Sequence, residues 1–278
     1  MKKITLSILA ALTLVTQTVD ATTLRNDVPS CTNEIPAEYY QLPSERELVI
    51  LLDKTMAHSL DQDIKSELYQ SVKRFIQPGD KVQLVEFSSF AQDSYTKVTF
   101  NGQLDTQLSD EHRSYIKKSV LKSLDKCLDK QHSFMLSKIG ISLKTAFQPQ
   151  EKPTNTELIG TLSDISNQVL TQSTAKRKVV LLISDMLENS DITSFYKNNQ
   201  TRVINPQQEL ELVSTSQMFA HFNQADVYVI GTGVIPGNQQ YISAQKMSKL
   251  ESFWKDYFKQ SNATLLGFGK PMLLGDIR

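Results

Sequence analysis

Two aspartates stand at positions where a folded chain could use their carboxylates for chemistry. Asp53 directly follows the apolar run 48–52, and Asp185 follows the run 179–183 with only Ser184 between them. Continuous apolar runs of this length are typical of parallel strands buried on both faces. In α/β folds, ligands bind outside the carboxyl ends of such strands. A carboxylate placed there can bind a cation, act as a nucleophile, or cap the next helix.

The elements around these runs alternate between strand and helix. Apolar residues recur at helical spacing after Asp53, and segment 96–100 alternates as the antiparallel edge partner of strand 82–87 would. We predict an α/β fold with a doubly wound, mostly parallel sheet, one antiparallel edge strand and helices on both faces. Further strands are predicted at 227–231 and 264–268; helices at 64–76, 110–145 (one long or two short), 156–170, around 212–222 and 242–258; and a long polar loop at 188–208.

The order of these elements and the strand-end residues resemble the von Willebrand factor A family, over about residues 46–270. That family carries a metal-ion-dependent adhesion site, built from Asp-x-Ser-x-Ser, a threonine that opens a later helix, and an aspartate after the fourth strand. The resemblance implies a metal site at Asp53, Thr55, Thr156 and Asp185. It also implies a von Willebrand factor A- or Rossmann-like domain.

The implied ligands are all oxygen donors. Carboxylates and hydroxyls from separate loops suit Mg²⁺, which prefers octahedral oxygen coordination and keeps several waters. Ala57 stands where the family has its second serine, so one oxygen ligand is missing and the implied site is degenerate. Lys54, beside Asp53, could place its own positive charge where the ion would sit. Helix capping also explains Asp53 and the Thr156-Glu157 pair without any metal.

The N-terminus predicts export. Lys2 and Lys3 precede a short apolar stretch, and Ala21 offers a small residue for cleavage, as in a secretory signal peptide. A membrane anchor is the alternative, but the stretch is shorter than the ~20 residues that span a bilayer. We therefore expect a periplasmic or secreted protein without a membrane span after cleavage. Its parts are a signal peptide (1–21), an extended segment (22–45) and one domain (46–278).

The chain has two cysteines, Cys31 and Cys127. In an oxidising compartment these two have only one possible pairing, so we predict a Cys31–Cys127 disulfide that fastens the N-terminal segment to the domain. Two free thiols are the alternative.

Charge and motif content exclude several classes of ligand. The chain has 30 basic and 30 acidic residues, so no overall field attracts nucleic acid. The Gly231-Thr232-Gly233 turn follows a late strand and its third glycine, Gly237, is displaced, so we expect no nucleotide cofactor.

We predict an exported module that binds a protein partner and is not an enzyme. Its metal site would engage a carboxylate of that partner. Two alternatives remain open. The first is a Mg²⁺-dependent phosphohydrolase of the haloacid dehalogenase type with Asp53 as nucleophile, although Thr55 replaces the second aspartate of that pattern. The second is a metal-free structural subunit of a cell-envelope assembly.

Overall fold

The structure of the 278-residue chain is a computed structural model that describes residues 26–39, 45–88, 95–148, 157–235 and 240–278. The predicted signal peptide (1–21) and Thr156 lie outside the described residues. The described strands are β1 (Arg46–Asp53), β2 (Lys81–Ser88), β3 (Tyr95–Gln103), β4 (Arg177–Ile183), β5 (Tyr196–Lys197), β6 (Gln200–Thr201), β7 (Ala225–Ile230), β8 (Val234–Ile235), β9 (Gln240–Tyr241) and β10 (Ala263–Phe268).

One large sheet forms the centre of the described part. Its strand order is β10-β7-β4-β1-β2-β3, and every neighbouring pair is parallel except β2 and β3. The predicted fold class, including the antiparallel edge strand, is therefore confirmed. The described helices are α1 (Gln62–Phe75), α2 (Asp110–Ser114), α3 (Lys118–Ala146), α4 (Leu158–Ile165), α5 (Pro206–Thr215) and α6 (Ala244–Gln260).

Strand β1 is buried on both faces because its apolar run has no polar interruption. Side chains alternate along a strand, so Val49 and Leu51 enter the core beneath α4, α5 and α6. Leu48, Ile50 and Leu52 enter the opposite core, beneath α1 and α3. Full burial of each such side chain stabilises the fold by roughly 1.5–3 kcal/mol. The two cores fix β1 in the middle of the sheet and leave its carboxyl end as the place for polar groups.

Two predicted segments differ from the structure. Segment 188–208 is not simply a polar loop: it contains the β5–β6 hairpin, and Phe195 and Ile204 pack into the core. The sequence does not predict the burial of Phe195 and Ile204, because both lie in a mostly polar segment. The helix predicted around 212–222 is found at Pro206–Thr215. It begins earlier than predicted because Asn205 caps it and proline favours the first helical turn.

The N-terminal segment packs against the first half of α3. The disulfide between Cys31 and Cys127 is present, as predicted. Around it lies a small cluster in which the fully buried apolar side chains are Ile35, Leu108 and Leu124. This cluster is small, so the segment depends also on the disulfide, on Val28 in the core beneath α1 and α3, and on hydrogen bonds between Asp27 and Asn101.

Each helix in the described ranges is too short or too polar to cross a membrane.

Replacing both cysteines with serine should loosen this attachment without unfolding the sheet. In Cys31→Ser/Cys127→Ser, we expect residues 26–39 and the first half of α3 to lose about 2–4 kcal/mol of protection against amide hydrogen exchange. The amides of β1 and β4 should keep theirs. Hydrogen exchange of the variant and of oxidised wild-type protein checks this, and equal protection of residues 26–39 in both proteins would contradict it.

Candidate metal centre

The carboxyl ends of β1 and β4 bring Asp53 and Ser184 together. Leu52 is paired with Ile183 in the parallel register, so the next residues, Asp53 and Ser184, lie side by side. The Ser184 hydroxyl donates a hydrogen bond to Asp53 Oδ2 at 3.0 Å. The carboxyl ends of β1 and β4 therefore meet at one edge of the sheet, with Asp53 and Ser184 in contact.

Thr55 folds back onto Asp53. Its backbone N–H and its hydroxyl both donate to Asp53 Oδ1, at 2.9 and 2.6 Å. A hydroxyl that donates its proton to a carboxylate can at the same time offer a lone pair to a cation. Asp53 thus orients two hydroxyls, those of Thr55 and Ser184.

Asp185 is held by a tight turn after β4. Its Oδ1 accepts from Leu187 N at 2.9 Å, and its backbone carbonyl accepts from Gly233 N at 2.9 Å. Met186 has a positive φ of 61°, and its carbonyl accepts from Trp254 Nε1 at 2.9 Å. The turn is therefore fixed from several directions, which favours a preformed binding site over one that forms only on binding.

The two carboxylates are buried without a compensating charge. Asp53 and Asp185 are 0% and 2% exposed, and neither forms an ion pair with a described basic residue. Burial raises the pKa of Asp53 to about 6, although the hydrogen bonds from Thr55 and Ser184 act to lower it. Burial, together with the charge of Asp53, raises the pKa of Asp185 well above its ordinary value. A cation at this edge would favour the ionised form of both groups.

Lys54 does not serve as a built-in cation for this pair. Its Nζ donates to the carbonyl of Ala146, at the C-terminal end of α3, at 2.5 Å. The same atom lies 3.6 Å from Glu86 Oε2. The expectation that Lys54 would place charge at the ion position is therefore wrong, because the α3 terminus and Glu86 pair with it instead.

Ala57, at the position of the family's second serine, is buried among apolar side chains that include Met56 and Leu60. Hydrocarbon contacts therefore surround the place where a hydroxyl would be. Thr156 lies outside the described residues, so its role as a ligand stays a prediction.

Glu188 is the residue that the sequence analysis missed. It is fully buried, and its Oε2 accepts from the backbone N–H groups of Leu158 and Ile159 at 2.8 and 2.9 Å. These N–H groups open α4, so Glu188 ties the turn after β4 to the helix that follows Thr156. The available signal is a glutamate three residues after Asp185, but it falls in segment 188–208, which the sequence predicts to be a long polar loop.

The donor set fits a hard cation. Asp53, Asp185, Thr55 and Ser184 offer oxygen only, from loops that meet at one edge of the sheet. Among the residues described, no three or more His, Cys, Asp or Glu side chains converge as a metal cluster. A site that offers few protein oxygens, and neither nitrogen nor sulfur, suits an ion that keeps part of its water shell, such as Mg²⁺.

Comparison with known proteins gives similarity of fold only. No family model and no curated protein matches the sequence. An aerotolerance-related membrane protein from Bacteroides fragilis is 13% identical, with a TM-score of 0.36, and the match covers 81% of this chain and 92% of that one. Proximal thread matrix protein 1 from mussel byssus, whose structure has a zinc-occupied metal-ion-dependent adhesion motif, is 15% identical with a TM-score of 0.35, covering 76% and 39%. The pilus adhesin SpaC from Lactobacillus rhamnosus GG is 11% identical with a TM-score of 0.37, covering 77% and 27%.

This chain therefore spans less than half the length of the mussel protein and of the adhesin. The strand order, with its antiparallel edge strand, fits a von Willebrand factor A- or Rossmann-like α/β fold, and Asp53 and Asp185 lie at the carboxyl ends of neighbouring strands.

The buried Glu188 should make stability depend on pH. Burial raises its pKa from 4.5 to about 8, against the hydrogen bonds that it accepts. Between these values the unfolded chain releases the proton and the folded chain retains it, so the free energy of unfolding falls as pH rises.

Glu188→Gln keeps an acceptor for α4 but carries no charge, so it should flatten that fall by up to about 1.4 kcal/mol per pH unit. Urea unfolding of the wild type and the variant between about pH 5 and pH 8 measures the slope. Glu211→Gln, on the exposed side of α5, is the control. Equal slopes for wild type and Glu188→Gln would contradict the prediction.

Proposed function

We propose that the chain is an exported module that binds a protein partner through a divalent cation at the carboxyl edge of its sheet. The observation that carries this proposal is the uncompensated pair of buried carboxylates, Asp53 and Asp185. Burying two such groups side by side is costly, and a bound cation offsets that cost. The proposed location is the periplasm or the extracellular space.

In this proposal the residues of the site have different roles. Asp53, Asp185, Thr55 and Thr156 supply oxygens to the ion, and Asp53 also orients the hydroxyls of Thr55 and Ser184. The ion, Mg²⁺ in this proposal, supplies positive charge to which a carboxylate of the partner can bind. Glu188 holds α4 against the turn that carries Asp185. The proposed activity is the binding of a partner, and no enzymatic reaction is proposed.

Cation binding should depend on Asp185. We expect isothermal titration of Mg²⁺ and Mn²⁺ into the metal-stripped chain to show saturable binding, at least about tenfold weaker in Asp185→Asn. Asparagine keeps the oxygen that accepts from Leu187 N, so the turn should persist. Asp226→Asn, which removes a carboxylate near the start of β7, is the matched control.

The titration is repeated with acetate in excess, because a degenerate site can depend on a carboxylate from the partner. Binding in either condition that Asp185→Asn weakens and Asp226→Asn does not would support the proposal. Absence of binding by the wild type in both conditions would overturn it.

Asp185→Asn should also show how much the buried carboxylate of Asp185 lowers the stability of the cation-free protein. Without divalent cations, Asp185→Asn should be as stable as the wild type or more stable, because it removes a buried charge and keeps the hydrogen bond to Leu187. Chemical unfolding at about pH 8 in EDTA measures this, since ionisation of Asp185 is most favoured at high pH. A loss of more than about 2 kcal/mol in the variant would show that Asp185 has a structural role instead.

A further inference from the structure

A pocket of about 390 Å³ lies beside the disulfide, between the N-terminal segment and the first half of α3. Pro29, Cys127 and Phe134 give it apolar walls. Its volume is at the lower end of the range for ligand sites and suits one or two side chains. Ser123, Lys126, Lys130 and Gln131 complete the lining.

Hydrogen bonds make the walls of this pocket rigid. Gln131 is buried and donates to the carbonyl of Pro29 at 2.8 Å and to Asp105 Oδ2 at 2.9 Å. Asp105 Oδ2 also accepts from Cys31 N at 2.6 Å. Together with the Cys31–Cys127 disulfide, these bonds hold the N-terminal segment at a fixed distance from α3. A preformed pocket loses less entropy when a ligand binds.

The pocket is bordered by positive charge. Lys122, Lys126 and Lys130 are exposed and follow one another at four-residue intervals, about 6 Å apart along the helix. Among the described residues none of the three forms an ion pair, and Asp125 of the same helix is paired with Arg113 at 2.7 Å. Asp129 of the same stretch is also exposed, so, with Asp125 neutralised by Arg113, residues 122–130 keep an excess of two positive charges, a local basic surface on a chain without net charge.

We propose that this pocket and its three lysines bind an acidic peptide segment of a partner protein, with one apolar side chain of the peptide in the pocket. Alternate side chains of an extended peptide lie about 6.6–6.8 Å apart, close to the spacing of the lysines. A small ligand with one carboxylate would use only one of these charges. An apolar anchor with charged flanks is a common way for a peptide to bind a groove.

This surface is separate from the candidate metal centre. Cys127 lies about 28 Å along α3 from Ala146, the residue whose carbonyl binds Lys54 beside Asp53. Peptide binding here needs no cation, so it stands or falls independently of the proposed metal site.

The test uses the full mature chain and a fluorescent synthetic peptide in which aspartate alternates with serine around one central phenylalanine. Fluorescence anisotropy in EDTA measures binding to the wild type and to Lys126→Gln/Lys130→Gln. Lys255→Gln/Lys259→Gln is the matched control, because these lysines are exposed, have the same spacing and lie on α6. Glutamine preserves helix propensity in both variants.

We expect saturable binding that weakens about tenfold or more in Lys126→Gln/Lys130→Gln and stays within about twofold of wild type in the control. Replacing the central phenylalanine of the peptide with serine should also weaken binding. Equal binding by both variants, or the absence of binding by the wild type, would overturn the proposal. Binding of anionic phosphatidylglycerol vesicles but not of the peptide would overturn it in favour of a lipid surface.

Discussion

Burial of β1 on both faces is the constraint from which the rest of the structure follows. Its five central side chains enter two separate cores, so neither face can carry a polar group. Helices must cover both faces, which produces the α1 and α3 layer and the α4, α5 and α6 layer. Polar chemistry is then possible only where the strand ends, and Asp53 is the first residue there.

The residues at that edge are costly for the stability of the fold. Asp53, Asp185 and Glu188 are buried carboxyl groups, and burial raises the pKa of each. A chain selected only for stability would have placed neutral groups in these positions. The hydroxyls of Thr55 and Ser184 turn towards Asp53, and the turn after β4 holds Asp185, so these groups have fixed positions at the edge of the sheet.

The sequence was sufficient for what depends on local pattern. Apolar runs predicted the strands, the alternation in 96–100 predicted the edge strand, and the count of two cysteines predicted their bridge. It was not sufficient for what depends on distant partners. The Lys54 ammonium binds a carbonyl at the end of a helix 92 residues away, and Glu188 caps a helix that precedes it by 30 residues. Neither pairing leaves a periodic signal.

The 29-residue helix α3 also has a mechanical consequence. Its second half packs on the sheet through Met135, Ile139 and Leu143, whereas its first half extends to the small disulfide-linked cluster. A small tilt of the helix on the sheet would therefore be a large displacement of its first half. A tilt of about 10° at the sheet would move the far end by about 5 Å over a length of about 28 Å. The disulfide resists such a displacement because it joins the first half of α3 to the N-terminal segment, which is itself hydrogen-bonded to β3 through Asp27 and Asn101.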